Sequence, residues 1–262
     1  PSPKEIVLDV VGLSSDSDIG LPAIRNVDLT VRSGEIVGIA GVEGNGQREL
    51  VEALTGIRKS TATKFTINDE NAIGAGPHEI HGMHVGHVPE DREKDGLVGQ
   101  YSIANNMVLN RFDEPEFSRR GIRNMDAVNS LATKLVKDFD VRTPSIKTPA
   151  NSLSGGNKQK VVIARELSAN PSLLIASQPT RGVDVGSIEF IHSQIISARD
   201  NGAAVLLVSA ELEEVLGLSD RILVMYDGQI VAELEGASAD RAEIGRLMAG
   251  GHAVVAEDSS HG

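Results

Sequence analysis

Short apolar runs alternate with segments of helical spacing along most of the chain. The runs that predict strands are rich in β-branched residues or bounded by glycines, and they span residues 6–11, 27–31, 34–40, 64–68, 83–88, 173–177, 203–209, 221–226 and 229–234. The segments that predict helices repeat apolar residues three and four apart, at 47–54, 103–110, 125–139, 157–167, 187–199, 211–216 and 240–248. Strands that alternate with helices are typical of a mainly parallel sheet covered on both faces. The pattern therefore predicts an α/β fold.

Helical spacing dominates one internal stretch, from residue 92 to about residue 168. Loops that carry prolines separate the helices of this stretch. We predict a helical subdomain here, inserted into a single α/β domain that spans residues 1–250. The polar segment 251–262 is predicted to be a flexible tail.

Composition narrows the classes of function. The 262 residues include 25 Lys and Arg against 37 Asp and Glu, a net charge of −12. A nucleic-acid-binding surface needs clustered cations to neutralise phosphates, so this balance argues against a nucleic-acid partner. The chain has no cysteine, which excludes thiolate metal sites and thiol catalysis. No apolar run approaches the roughly 20 residues of a membrane-spanning helix. The first residue is Pro1 rather than Met, which favours a fragment or a processed chain.

A glycine-rich turn follows the third predicted strand. Gly41 and Gly46 have the G-x-x-x-x-G spacing of a phosphate-binding loop, with Gly44 and Asn45 between them. Glycines let backbone amides curl around a phosphate, and the helix that follows directs its positive end at the charge. A dinucleotide fingerprint is excluded because it needs a third glycine where this chain has Glu49. The turn alone leaves two interpretations open, a phosphate site and a tight strand-to-helix connection.

A second glycine-rich segment opens the helix predicted around residue 157. Ser154 is a good helix cap, but Gly155 and Gly156 cost helix stability, and a capped start does not explain them. With the leucine before it and with Asn157 and Gln159 after it, the segment reads Leu-Ser-Gly-Gly-x-x-Gln. That sequence, downstream of a phosphate loop and just before an apolar strand, resembles the signature of ATP-binding-cassette (ABC) ATPases.

The resemblance covers nearly all of residues 5–248. It extends to the second, C-terminal cassette of the two-cassette ATPases that drive bacterial importers of simple sugars and nucleosides, on the sequences at 89–97, 178–184 and 209–215. It implies a P-loop ABC nucleotide-binding domain with a RecA-like core, an antiparallel β subdomain and a helical subdomain. It also implies two partners, transmembrane permease subunits and another cassette that is N-terminal in the same full-length chain. The implied location is peripheral, on the cytoplasmic face of the inner membrane.

Carried over residue by residue, the resemblance shows mostly absences. Gln47 stands at the position of the Walker A lysine, and Arg48 at that of the Ser or Thr that holds Mg²⁺. The other catalytic and metal-holding positions carry the replacements Ser177, Gln178, Glu90 and Ala210. A positioned general base contributes roughly 10²–10⁴ in rate, and an amide at Gln178 cannot accept the proton. We therefore expect no catalytic residue, no metal site and little hydrolysis at this chain's own loop.

ATP is the cofactor that the resemblance implies, bound weakly at this chain's own loop or in trans. The candidate residues at the loop are Gly41, Gly44, Asn45, Gly46, Gln47 and Arg48. Those that would face the γ-phosphate of a nucleotide held by a partner cassette are Ser154, Gly155, Gly156, Asn157, Gln159 and Asp184. Mg²⁺ is expected only at the partner's site.

Two of these residues keep a second interpretation. Arg48 either takes the place of Mg²⁺ beside the phosphates or pairs with Glu52 one helical turn later. Asp184 either faces the partner cassette or caps the helix that begins near Ser187.

Two other functions also stay open. One is a working ATPase with a relocated base, for instance Glu90 or Glu211. The other is a soluble regulatory or scaffold cassette that never meets a transporter.

Four histidines recur at every third residue and raise the question of a metal site. They are His78, His81, His84 and His87. On a helix this spacing rotates each His about 60° from its predecessor, and on a strand it points His84 and His87 to opposite faces. We therefore expect surface histidines.

Overall fold

The computed structural model describes residues 4–250 and contains two main sheets and eight α-helices within that range. The strands are β1 Ile6–Asp16, β2 Pro22–Arg32, β3 Ile36–Ala40, β4 Lys64–Ile67, β5 Glu70–Asn71, β6 Val85–Val88, β7 Ser118–Arg119, β8 Ile122–Arg123, β9 Leu173–Ser177, β10 Ala204–Ser209, β11 Arg221–Tyr226 and β12 Gln229–Glu235. The helices are α1 Gln47–Leu54, α2 Pro77–Gly82, α3 Ile103–Met107, α4 Met125–Asp138, α5 Gly155–Ser168, α6 Val185–Asp200, α7 Leu212–Leu218 and α8 Arg241–Met248. The predicted tail 251–262 lies outside the described residues.

The larger sheet has six strands in the order β12-β11-β3-β10-β9-β6. Five of them are parallel, and β12 runs antiparallel to β11 at one edge. Every residue of β3, β9 and β10 is buried, as expected for parallel strands that are covered on both faces. The carboxyl ends of these strands therefore meet at one edge of the sheet.

The smaller sheet is antiparallel, in the order β2-β1-β4-β5. The strand predicted at residues 6–11 is longer than expected, because β1 continues to Asp16. Gly12 has a φ of +70°, and the pairing with β2 shifts register on either side of it. A glycine tolerates this left-handed conformation, so the strand passes through it as a bulge instead of ending.

Two apolar clusters place these parts in layers. On one face of the large sheet, Leu206 packs with Leu50 of α1 and Leu13 of the antiparallel sheet. On the other face, Leu207 packs in a cluster with Ile163 of α5 and with residues of α3, α4 and α6. The phosphate-loop helix α1 is thus fixed between two sheets, whereas α5 belongs to the helical layer.

The helical part departs from the predicted bounds in three places. Helix α3 ends at Met107, three residues before its predicted end, and α5 begins at Gly155, two residues before its predicted start. The two-residue hairpin of β7 and β8 has no counterpart among the predicted strands. The limits 92–168 of the helical subdomain stay a prediction.

The histidines at every third residue are divided between α2, which contains His78 and His81, and the segment at β6. His84 lies before β6 at a φ of +62°, and His87 lies within that strand. His87 is not the expected surface histidine: burial lowers the pKa of its imidazole, whose Nε2 has no hydrogen-bond partner. Among residues 4–250 no group of three or more His, Asp or Glu is arranged to hold a metal ion.

None of the helices described above combines the length and the apolar character that a membrane span requires.

Candidate nucleotide site at the carboxyl edge of the sheet

The residues singled out in the sequence gather at the carboxyl edge of the large sheet. The phosphate loop follows β3, Gln178 follows β9 and Ala210 follows β10. Glu90 comes two residues after β6, which pairs with β9 in parallel. Ligands of open α/β sheets bind outside this edge, so the fold brings the predicted positions together where a nucleotide would lie.

The phosphate loop has the backbone of an anion-binding turn. Gly44 and Gly46 have φ values of +93° and +100°, a left-handed conformation that side chains rarely adopt. Gly46 is the N-cap of α1 and makes no side-chain capping bond. The first amides of α1 therefore have no partner within the helix and point outward, as phosphate binding requires.

Gln47 folds back into this loop. Its side chain is 6% exposed, and its Nε2 has no hydrogen-bond partner among the described residues. A Cβ at Gly41 would lie 2.6 Å from that Nε2 and 2.9 Å from the carbonyl oxygen of Met225, so only glycine fits there. The neutral amide thus occupies the space beside Gly41 and brings no positive charge to it.

Arg48 forms an ion pair with Glu52. Its Nε donates to Glu52 Oε1 at 2.8 Å, and Glu52 also binds Arg58 at 2.7 Å. The hydrogen bond and the charge of Glu52 raise the pKa of the Arg48 guanidinium. Of the two interpretations of Arg48, the structure shows the ion pair.

Asn45 ties the phosphate loop to the C-terminal part of the chain. Its Nδ2 donates to the carbonyl oxygens of Met225 and Met248 at 3.4 and 3.3 Å, and its Oδ1 accepts from the Asp227 amide at 3.3 Å. The Gly228 amide also donates to the Asn45 carbonyl at 3.0 Å. The phosphate loop is therefore held by the hydrogen bonds of the Asn45 side chain as well as by the backbone conformation of its glycines.

The end of β9 offers a nucleotide no carboxylate. Ser177 is buried, and Gln178 Oε1 accepts a hydrogen bond from the Ala210 amide at 3.2 Å. A Mg²⁺ ion prefers carboxylate oxygens and water, and Arg48, Ser177 and Gln178 include no carboxylate. These three residues therefore do not fit a magnesium ion.

Glu90 is engaged by a cation. Its carboxylate forms an ion pair with Arg181, which lies in the loop between β9 and α6. A general base needs a carboxylate that is free to take a proton from water. The ion pair directs the Glu90 carboxylate at Arg181.

The signature segment has an open geometry. Ser154 is exposed and caps α5, with its Oγ accepting from the Asn157 amide at 3.4 Å and from Asn157 Nδ2 at 2.9 Å. Gly155 and Gly156 form the first turn of this helix of 14 residues, whose N-terminus carries the positive end of the helix dipole. Gln159 is 1% exposed and points into the interior. At this tip Ser154 is exposed, Gly155 is half-buried and Gly156 is buried.

Asp184 caps α6 directly beside that tip. Its carboxylate accepts from the Ser187 amide at 3.0 Å and from Ser187 Oγ at 2.9 Å. These hydrogen bonds lower the pKa of Asp184. A Cβ at Gly156 would lie 2.5 Å from Asp184 Oδ2, so the two helix starts are in close contact. The structure shows the capping role.

Sequence reasoning did not identify the partners of the replaced residues. Arg181 and Arg92 were part of the family resemblance but were assigned no role. Since β6 and β9 are parallel neighbours, the opposite charges of Glu90 and Arg181 just beyond them were a usable signal. That signal depends on the strand order, which the hydrophobic pattern does not contain.

Known proteins place the chain in a family. The family model described as ABC transporter matches residues 24–181. This chain belongs to the ABC transporter family.

Two curated relatives and one solved structure refine this placement. The chain is 46% identical to the nucleoside import ATP-binding protein NupA of Lactococcus lactis, over 95% of the chain and 49% of that protein. It is 44% identical to the glucose import ATP-binding protein TsgD13 of Haloferax volcanii, over 95% of the chain and 46% of that protein. A dimeric ATP-binding cassette in a post-hydrolysis state, bound to ADP and phosphate, superposes with a TM-score of 0.75 at 23% identity, over 87% of this chain and 98% of that one.

These matches confirm the predicted fold, a P-loop ABC ATPase domain. The chain spans about half the length of the curated relatives it matches.

Proposed function

We propose that this chain is the C-terminal, degenerate cassette of an ABC importer for nucleosides or simple sugars. The import functions in the names of its relatives support the cargo class, and their double length supports a preceding cassette in the same chain. The cassette works on the cytoplasmic face of the membrane with permease subunits. Its signature segment, residues 154–159, contacts the ATP held by the partner cassette. It hydrolyses little ATP at its own phosphate loop.

The observation that carries this proposal is the contrast between the two helix starts. At α1 the replaced side chains are engaged within the chain, with Gln47 beside Gly41 and Arg48 on Glu52. At α5 Ser154 is exposed and Gly155 is half-buried, whereas Gly156 is buried against Asp184 and Ser187. A charge-assisted hydrogen bond to phosphate contributes about 1.5–3 kcal/mol, and only the second site keeps the geometry of the family without replacement.

The in-trans role is tested on the assembled transporter with Ser154→Ala, matched by Ser102→Ala. Both serines cap a helix and accept from the amide three residues later, so both variants lose a cap of about 1 kcal/mol. We expect Ser154→Ala to reduce steady-state phosphate release about tenfold, because a hydroxyl facing the partner's γ-phosphate is lost. Ser102→Ala should retain nearly all of it. Equal rates for the two variants would contradict the proposal.

The purified chain alone tests the alternative of a relocated base. With Mg²⁺ and ATP but no partner cassette, we expect no phosphate release above background. Release that disappears in Glu90→Gln or Glu211→Gln would establish the alternative.

A further inference from the structure

Arg92 connects two segments that the proposed in-trans site needs. Its Nη1 donates to the carbonyl oxygen of Arg181 at 2.7 Å, and its Nη2 donates to that of Gly182 at 3.0 Å. The same Nη2 lies 2.9 Å from where a Cβ of Gly155 would be, so the guanidinium packs against the first turn of α5. One side chain thus contacts both the signature and the loop that leads to Asp184.

Two ion pairs flank this guanidinium. Glu90, two residues before Arg92, pairs with Arg181, and Glu93, one residue after it, receives Lys158 of α5 at 2.7 Å. The Lys158 interaction lowers the pKa of the Glu93 carboxyl. The segment 90–93 is therefore bound to the loop after β9 on one side and to the signature helix on the other.

The planar guanidinium makes this connection rigid. Its N–H groups lie in a fixed fork, so two bonds to adjacent carbonyl oxygens fix both its position and its orientation. A lysine has one nitrogen on a flexible stem and does not reproduce the fork. The close packing at Gly155 transmits that orientation to the helix start.

We propose that Arg92 is a positioning residue that sets the signature of this cassette against the 181–184 loop, with no nucleotide needed at the chain's own phosphate loop. The ion pair of Glu90 with Arg181 holds the carbonyls that Arg92 binds. This inference rests on the proposed function, because the signature it positions acts on the partner's ATP.

The first test compares Arg92→Gln and Arg92→Lys in the assembled transporter. We expect both to weaken ATP binding about tenfold, since both lose the fork. ADP binding should be unchanged, because the positioned amides face the γ-phosphate, which ADP lacks. A general loss of structure would weaken both nucleotides. The matched control is Arg32→Gln, which also removes an arginine that donates to a backbone carbonyl, at Lys4.

The second test remains decisive if Arg92→Gln fails to fold. Glu90→Arg and Arg181→Glu separately should reduce the ATPase rate of the transporter, and the double exchange should restore much of it. A double exchange no better than the single variants, or an unchanged ATP affinity in a folded Arg92→Lys, would overturn the inference. If Ser154→Ala still lowers the rate in that case, the proposed function survives and only the role of Arg92 is lost.

Discussion

The two glycine-rich helix starts of this molecule, at α1 and α5, differ in the side chains that surround them. At the start of α1, Gly46 leaves the amides bare, but Gln47 turns inward and Arg48 pairs with Glu52. At the start of α5, Ser154 is exposed and is followed by the half-buried Gly155 and the buried Gly156. The backbone of an anion site is present in both places, so the difference lies in the side chains around it.

Around the start of α1, replaced side chains form contacts within the chain. Gln178 Oε1 binds the Ala210 amide, and Glu90 binds Arg181. Gln178 and Glu90 thus gain partners within the chain, which avoids the cost of an unsatisfied polar group near the sheet edge, whereas Gln47 Nε2 has no partner among the described residues. Contacts within the chain therefore occupy these positions at the carboxyl edge of the sheet.

The largest expected effect is at the start of α5. In Gly156→Ala the new Cβ would lie 2.4 Å from Ser187 Oγ and 2.5 Å from Asp184 Oδ2, so these side chains or the starts of α5 and α6 must shift. We expect the ATPase rate of the assembled transporter to fall on the order of 10²-fold, because amides that stabilise developing charge are displaced. Phosphate release measures this effect.

Gly245→Ala is the matched control. Gly245 also lies in a helix, and a Cβ there meets nothing within 4 Å. Alanine favours a helix over glycine by about 1 kcal/mol, so this variant should unfold at a higher temperature with an unchanged ATPase rate. A Gly156→Ala variant with an equally unchanged ATPase rate would contradict the distinction between the starts of α1 and α5.

The second-largest expected effect is at the start of α1, in the phosphate loop. Gln47→Lys combined with Arg48→Ser restores a cation and a metal-binding hydroxyl to the phosphate loop. A charged hydrogen bond of about 1.5–3 kcal/mol corresponds to roughly 10- to 100-fold tighter ATP binding, measured by titration of the purified chain with Mg²⁺. Hydrolysis should stay absent, because Ser177 and Gln178 still provide no base. Unchanged affinity would show that side chains other than Gln47 and Arg48 close this loop.

Much of the fold could be predicted from the sequence because its elements are strongly marked. Helix α1 was predicted with the bounds it has, since Gly46 and Gly56 delimit it. The buried strand β9 was predicted equally well from its continuous apolar run. The hairpin of β7 and β8 was missed because two-residue strands have no periodicity to detect.

The site was predictable to the level of the backbone but not of the side-chain contacts. The glycine spacing marked both helix starts, yet the pairing of Glu90 with Arg181 joins residues 91 positions apart. Such a contact follows from the neighbouring of β6 and β9, a tertiary fact. His87 shows the same limit, because its burial comes from packing in β6 and not from the histidine spacing.

The smallest expected effect concerns the contact between the starts of α5 and α6. Hydrogen bonds from Ser187 lower the pKa of Asp184 below its ordinary value of 3.8. A carboxyl with a depressed pKa in the folded state contributes stability that is present above the unfolded pKa and is lost as the pH falls through the folded one. We therefore expect a shallow loss of thermal stability below about pH 3.8 that is absent in Asp184→Asn. Ser187→Ala removes the Oγ donor and makes the folded pKa of Asp184 less depressed, so the loss should begin at the same pH but be smaller and end at a higher pH than in the unaltered chain. Identical pH profiles for all three proteins would show that Asp184 does not depend on these hydrogen bonds, and the close packing at Gly156 would then rest on shape alone.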